Sequence, residues 1–260
     1  MWKGLVMPDI EIVPMAKHDP EAVPVSFCVI AAETDAHYMT DMLKTIPAKS
    51  EVVVLWNKSG DDDGVVHRKD VTMPNGTVVR YYCTEWQVLD FAKLRNITIG
   101  LASREWIMWL DADDRLLIHQ HGFFTGKLLE YPPGIGGLTC GCVGIQPDPR
   151  PGRVHEGATR YHVPTVRIIR NGYGFCFQGS CHEQVAWSVQ EQAFNLAECS
   201  LLVHHVGYET DADTMRSKLE RNLAGVSAEY LKEQDPERKK FWAHLMRREA
   251  SNIHNYTKQG

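Results

Sequence analysis

Three aspartates, Asp111, Asp113 and Asp114, follow directly on the unbroken apolar run Ile107-Met108-Trp109-Leu110. Such a run is expected of a central parallel strand covered on both faces. The carboxylates therefore fall at the carboxyl end of a buried strand, where open α/β sheets bind their ligands. If the backbone stays extended for two more residues, side chains two apart share a side, so Asp111 and Asp113 point together and Asp114 points away. Like charges this close raise one another's pKa, a conflict removed when a divalent cation is bound by both, or by one while the other binds ligand. A bare Asp-x-Asp is also common in capped, solvated turns, so the surrounding segments decide.

Before the aspartates, Phe91, Leu94, Ile97 and Leu101 recur at spacings of three and four and predict a helix ending near Ser103, with one face against a sheet. That helix carries Lys93, Arg95 and Asn96. Val25 to Ala32 reads as the first buried strand, with a short helix around His37 to Ile46; Glu51 to Trp56 reads as the second strand. Pro74-Asn75-Gly76 predicts a tight turn into a strand over Thr77 to Cys83. This alternation describes a Rossmann-like half of a parallel sheet. No Gly-x-Gly-x-x-Gly follows a strand and no Gly-x-x-x-x-Gly-Lys-Ser/Thr occurs, so dinucleotide and P-loop chemistry lose their main warrant. The run Asp61 to Asp63 fits a solvated turn better than a metal loop.

Beyond Asp114 the spacing predicts a helix over Leu116 to Tyr131, a glycine-rich strand over Gly134 to Ile145, and a proline- and arginine-containing loop over Asp148 to Glu156. Thr165 to Arg170 is a strand in which Arg167 and Arg170 alternate poorly for one face; Arg170 either reaches phosphate or fastens a loop. Phe175 to Val185 carries His182-Glu183, either a working acid-base pair or a cap for the next helix. Leu201 to Val206 is a last strand in which only one of His204 and His205 can face a given side. From Asp213 the chain is helical, with a stripe of Met215, Leu219, Leu223, Val226 and Tyr230. A second helix begins at Asp235-Pro236, with Phe241, Leu245 and Met246 as its buried side.

The series Leu94-Arg95-Asn96, then Trp106-Ile107-Met108-Trp109-Leu110-Asp111-Ala112-Asp113-Asp114, resembles the core of family 2 glycosyltransferases of the GT-A fold. Arg167-Ile168-Ile169-Arg170-Asn171, Gly179-Ser180-Cys181-His182-Glu183 and His204-His205-Val206-Gly207-Tyr208 extend the resemblance, in order, across roughly residues 25 to 225. It implies an α/β fold, a mostly parallel Rossmann-like sheet flanked by helices, with a C-terminal helical extension. The implied layout is an irregular lead-in over 1–24, a nucleotide-sugar half over 25–114, an acceptor half over 115–210 and the extension over 211–260. The implied activity is metal-dependent, inverting transfer from a nucleoside diphosphate sugar, UDP-sugar favoured, to an acceptor such as a glycan, a peptide or a modified nucleobase. In that reading Glu183 is the base that deprotonates the acceptor and His182 supports it or touches the donor. Asp113 and His205 hold Mn²⁺ or Mg²⁺ on the diphosphate, and Asp111 contacts ribose or sugar. Ala32, Glu33, Asn57, Arg95, Asn96, Ala112 and Arg170 line the donor pocket, although Glu33 also fits a plain helix-capping turn. Asn57 stands where the family usually has an aspartate on the base, and an amide can still pair with a pyrimidine edge.

The chain has 260 residues, enough for one α/β domain with an appendage, and a net charge of −5, so no global basic field draws it to nucleic acid or anionic lipid. No apolar run approaches the ~20 residues that span a bilayer, and no secretory signal is evident, so a cytoplasmic protein with reduced thiols is expected. Cys140, Cys142, Cys176 and Cys181 beside His182 could be drawn as a zinc site, but the spacing lacks the usual knuckle. The C-terminal helices are expected either to pack on the domain or to pair two subunits. Two other classes share the carboxylate pattern. A nucleotidyltransferase would release pyrophosphate, and a silent nucleotide-sugar or glycan-binding module would bind without turnover.

Overall fold

The computed structural model describes residues 22–58, 64–85, 90–146, 159–207 and 212–257. The expectations for the lead-in before residue 22, the Asp61 to Asp63 run and the Asp148 to Glu156 loop lie outside the described residues. Among the described residues the protein is built on a nine-stranded mixed sheet flanked by helices, the α/β class expected. In chain order the strands are β1 (Val25–Ala32), β2 (Glu51–Lys58), β3 (Val66–Thr72), β4 (Val78–Glu85), β5 (Trp106–Asp111), β6 (Asp114–Leu116), β7 (Ile135–Gln146), β8 (Thr159–Arg170) and β9 (Asn195–His205). They lie in the order β3-β4-β2-β1-β5-β8-β7-β9-β6.

The first half follows from the apolar runs. β4, β2, β1 and β5 are parallel neighbours, in register Ala32↔Asn57 and Ile30↔Asp111, so the carboxyl ends of three strands meet along one rim. Strands buried on both faces need continuous apolar sequence, and Val52 to Leu55 and Ile107 to Leu110 are all buried. One face carries the larger core, in which Phe27, Met42, Met108, Leu110 and Phe124 pack together. The other face receives α2 (Phe91–Gly100), whose Asp90 N-cap accepts a hydrogen bond from the Lys93 amide. The buried stripe of α2 is Ala92, Leu94, Arg95, Thr98 and Ile99, rotated from the apolar stripe expected. The rotation turns Arg95 inward, toward carboxylates described below.

The second half departs further from expectation. The segment after Asp114 is not one helix. It is the short strand β6, a 3-10 turn over Ile118–Gln120, a four-residue helix α3 (Gly122–Thr125) and another 3-10 turn over Lys127–Glu130. Gly122 and Gly126 inside the segment, and the pull of β6 into pairing with β9, break the helical pattern. Because β5 ends at Asp111 and β6 begins at Asp114, the far edge of the sheet curls back under the end of β5. β9 runs the full span Asn195–His205, longer than expected, and delivers His205 opposite Asp114.

Two helices follow β9, α5 (Ala212–Lys232) and α6 (Pro236–Thr257), the latter N-capped by Asp235 as expected, with its carboxylate accepting from the amides of Glu237 and Arg238. They pack on the domain. Val226, Trp242 and Leu245 form a core that includes Trp187 of α4 (Ala186–Glu191), and Trp242 is its most buried residue on α6. No helix among the described residues is long and apolar enough to cross a membrane.

Candidate active site

The end of β5 does not stay extended. The chain turns through Ala112 and Asp113 before β6, and this turn brings Asp114 inward instead of away, a correction to strict alternation. Asp114 is fully buried. Its Oδ2 accepts from the Asp111 amide at 2.9 Å and from Arg167 Nη1 at 2.8 Å, while its Oδ1 faces His205 Nδ1 at 2.9 Å. Asp114 thus ties three segments together. Asp111 accepts from Arg95 Nη2 at 2.6 Å, and Asp113 Oδ1 stands 3.5 Å from His205 Nδ1. The guanidinium carbons of Arg95 and Arg167 lie 4.0 and 3.8 Å from the Trp109 ring centroid, so the tryptophan of β5 shelters both cations from water.

Burial and charge split the carboxylates. Burial would raise Asp111, but the guanidinium groups of Arg95 and Arg167, together with His205, outweigh it and hold Asp111 well below the usual carboxylate range. Asp113 has no guanidinium beside it: burial, reinforced by Asp111 and Asp114, outweighs the pull of His205 and Lys218 and pushes it up to about 6. For His205, burial opposes protonation, yet the bond to Asp114 and the surrounding carboxylates win and raise it. A carboxyl whose folded pKa is raised contributes stability that is complete below about pH 4 and lost as pH rises toward 6. The metal-free protein therefore carries a cost at neutral pH that Asp113→Asn removes. That variant is expected to be more stable than wild type by about 1–3 kcal/mol at pH 7.5, read as a melting temperature raised by several degrees in chelator. The advantage should vanish at pH 4.

Ligand atoms of Asp111, Asp113, Asp114 and His205 all lie within 4.8 Å of one another. The donor set suits a divalent cation in a specific way. Asp114 spends its oxygens on Arg167, the Asp111 amide and His205, and Asp111 is engaged by Arg95. Because Asp114 accepts from Nδ1, it fixes the histidine tautomer so that Nε2 is the nitrogen with a lone pair, the carboxylate–histidine arrangement common behind metal ligands. Asp113 and His205 are then the members of the group that could hold a divalent cation with their remaining ligand atoms. Both face Gly207: a methyl built there would collide with the Asp113 carboxylate and come within 3.1 Å of His205 Nε2. Gly207→Ala is therefore expected to weaken Mn²⁺ binding at least tenfold by isothermal titration. Because the collision is with one side chain, the cooperative unfolding transition should be retained.

The second part of the site is the loop 175–185. Arg95 is buried, and its Nε donates to Glu183 while its Nη2 holds Asp111, so one guanidinium bridges the base candidate and the acid cluster. Arg95 Nη1 is buried with no acceptor among the described residues, a donor available to an anionic ligand. Asn96 is engaged with the loop. Its amide donates to the Phe177 carbonyl at 3.0 Å and accepts from the Phe177 amide at 2.7 Å, clamping the loop onto α2. His182 faces the C-terminal helices: it adopts φ 53° and sets Nε2 3.3 Å from Glu249 Oε1 on α6.

Ala32 and Asn57 are paired at the common rim, with exposed Glu33 next in the chain, so these three stand where a ligand at the strand ends would lie. The Ala112 side chain is packed in the main core, leaving only its backbone to meet a ligand. Arg170 is at the wrong end. It pairs with Trp106 at the start of β5, where it donates to the carbonyls of Tyr131, Pro132 and Ile135 and to Glu105, and so fastens the turn into β7. Sequence reasoning missed Arg167, Asp114 and Glu249. An arginine within the apolar run Val166-Arg167-Ile168-Ile169 was the available signal, since a cation in a buried strand requires a buried anion. The cysteines are free thiols and, among the described residues, form no metal-holding group.

No family model matches the chain. In sequence it is 25% identical over 212 residues to the SPbeta prophage-derived glycosyltransferase SunS of Bacillus subtilis (strain 168), and equally to glycosyltransferase SunS of Bacillus phage SPbeta. These matches cover 80% of this chain but only 46% of the relatives, so the chain spans about half their length. Among solved structures, S. aureus TarS 1-349 in complex with UDP is similar over 85% of this chain and 69% of that one, with a TM-score of 0.46 and 13% identity. The same protein in complex with UDP-GlcNAc gives a TM-score of 0.42 at 12% identity, covering 85% of this chain and 70% of that one. The chain is thus related in sequence, at low identity, to a glycosyltransferase.

Proposed function

We propose that this chain is a metal-dependent glycosyltransferase that moves a sugar from a nucleoside diphosphate sugar, a UDP-sugar by the motif resemblance, to an acceptor nucleophile with inversion. The observation that carries the reading is the pairing of a carboxylate–histidine cluster with Glu183 across the single guanidinium of Arg95, at the carboxyl end of the central strands. The strands of residues 25–114 supply the nucleotide side and residues 115–210 the acceptor side. Asp113 and His205 would hold Mn²⁺ or Mg²⁺. Such a cation supplies Lewis-acid stabilisation of the charge that develops on the departing diphosphate.

The chain's own groups divide the remaining work. Ala32, Glu33 and Asn57 at the rim meet base and ribose, with the Asn57 amide offering both a donor and an acceptor. Asp111, held ionised by Arg95 and Arg167, accepts from ribose or sugar hydroxyls. Glu183 takes the proton from the acceptor as the nucleophile attacks the anomeric carbon opposite the diphosphate. The Arg95 bridge fixes how Glu183 is aimed before the substrate arrives, which lowers the reorganisation needed in the transition state.

A donor panel of UDP- and GDP-sugars and of nucleoside triphosphates with Mn²⁺ tests the reading, with separate detection of nucleoside diphosphate and pyrophosphate. Slow release of UDP with water as acceptor, suppressed by chelator, is expected. Pyrophosphate release from triphosphate donors would point to a nucleotidyltransferase, and tight binding with no release from any donor would point to a binding module.

A further inference from the structure

The loop that presents Glu183 is held from outside the sheet by the C-terminal helices. Ser180 donates both its amide, at 3.1 Å, and its hydroxyl, at 2.6 Å, to Glu229 of α5. Gly179, at φ 92°, lies so close under the Trp242 ring that a methyl there would come within 2.6 Å of it. Gly225 of α5 packs equally tightly on Cys181, and Arg238 of α6 donates to Gln178 at 2.8 Å. From the sheet side the same loop is held by Asn96 through Phe177, and the Ser180 carbonyl accepts from the Phe91 amide that opens α2. Within this grip His182 is the one loop residue other than glycine with a positive φ. Histidine enters the left-handed region more readily than most residues other than glycine, but such a conformation is still uncommon and is kept here by what surrounds it.

Glu249 supplies that restraint. It is 2% exposed, in the middle of α6; its Oε1 accepts from Arg248 Nη2 at 2.8 Å and lies 3.3 Å from the buried His182 Nε2, a close charge contact short of hydrogen-bond geometry. A carboxylate buried this far is costly unless its partners are fixed. Burial works against ionisation of Glu249, but the His182 and Arg248 groups beside its carboxylate prevail and hold it below the usual carboxylate range. With the His182 ring drawn toward α6, the backbone inversion at His182 sends the next side chain, Glu183, the other way, onto Arg95.

We propose that Glu249 is a positioning residue for the reaction: by holding His182 in its left-handed conformation it sets the aim of Glu183, which makes the C-terminal helical pair part of the catalytic centre. The inference rests on the assignment of Glu183 as base.

The test uses the full chain and variants Glu249→Ala, Glu249→Gln and His182→Asn, assayed well below their melting temperatures. Glu249→Ala is expected to lower kcat between about 10- and 100-fold, the scale of a misaimed catalytic group, while UDP affinity changes less than about twofold. Glu249→Gln, which keeps the side chain's shape and an oxygen beside His182 Nε2, should recover most of that loss. His182→Asn, which tolerates the left-handed backbone but cannot reach Glu249, should match Glu249→Ala, and the double variant should be no worse than either. Hydrogen exchange should show faster opening of residues 178–184 in Glu249→Ala, with residues 106–111 unchanged. An unchanged kcat in Glu249→Ala, or equal losses in kcat and UDP affinity, would overturn the inference. If the wild-type chain turns over no sugar nucleotide, the proposed function falls, and hydrogen exchange alone then decides whether Glu249 controls the loop.

Discussion

Replacing Arg167 by methionine is expected to destabilise the protein by about 3–5 kcal/mol, the usual cost of leaving a buried charge without its partner. Arg167 is 5% exposed, its Nη1 donates to a fully buried Asp114 at 2.8 Å, and its charge helps hold Asp111 ionised. Methionine fills a similar volume over Trp109 but answers neither carboxylate. Because Asp111 is depressed in the folded protein, its contribution is present at neutral pH and is lost as pH falls below about 4. Arg167→Met should therefore narrow the gap in stability between pH 7 and pH 3. Denaturant unfolding checks both points, and Arg167→Met combined with Asp114→Asn should recover part of the loss, since removing both charges costs less than removing one. A neutral effect of Arg167→Met would mean that the acid cluster is solvated rather than built around its cations.

Glu183→Gln should lower turnover by a factor of about 10² to 10⁴, the range of general-base catalysis, with UDP affinity changed by less than about threefold. The amide oxygen can still accept from Arg95 Nε, so the loop stays in place and the lost function is proton acceptance alone. Initial rates of UDP release across donor concentrations separate the two effects. A fall in kcat at constant affinity is expected; a loss of affinity at constant kcat would make Glu183 a binding group instead.

Much of the sheet was legible because its first half obeys local rules. β1, β2 and β5 are unbroken apolar runs, and the Pro74-Asn75-Gly76 turn places its glycine at φ 81°, a conformation glycine adopts without strain. Asp111, Asp113 and His205 could be singled out because residue type and order survive whatever the backbone does between them. Asp114 was misread because alternation holds only while a strand stays extended, and the turn at Ala112 and Asp113 reverses it. The two arginines of β8 show the limit of one-dimensional spacing. Three residues along a strand separate opposite faces and about 10 Å, enough to put Arg167 in the acid cluster and Arg170 at the other end of β5. Glu249 could not be read at all, since its partner His182 is 67 residues away and only the docking of α6 brings them together.

Calorimetric titration of UDP, GDP and their sugar conjugates, with Mn²⁺ and with chelator, on wild type and on Asp113→Ala, tests the donor site most directly. Metal-dependent binding of one nucleotide by wild type, at least tenfold weaker in chelator and in Asp113→Ala, is the expected result. Binding indifferent to metal and to Asp113, or no binding of any of these nucleotides, would contradict the assignment of the Asp113–His205 pair as the metal-held diphosphate site.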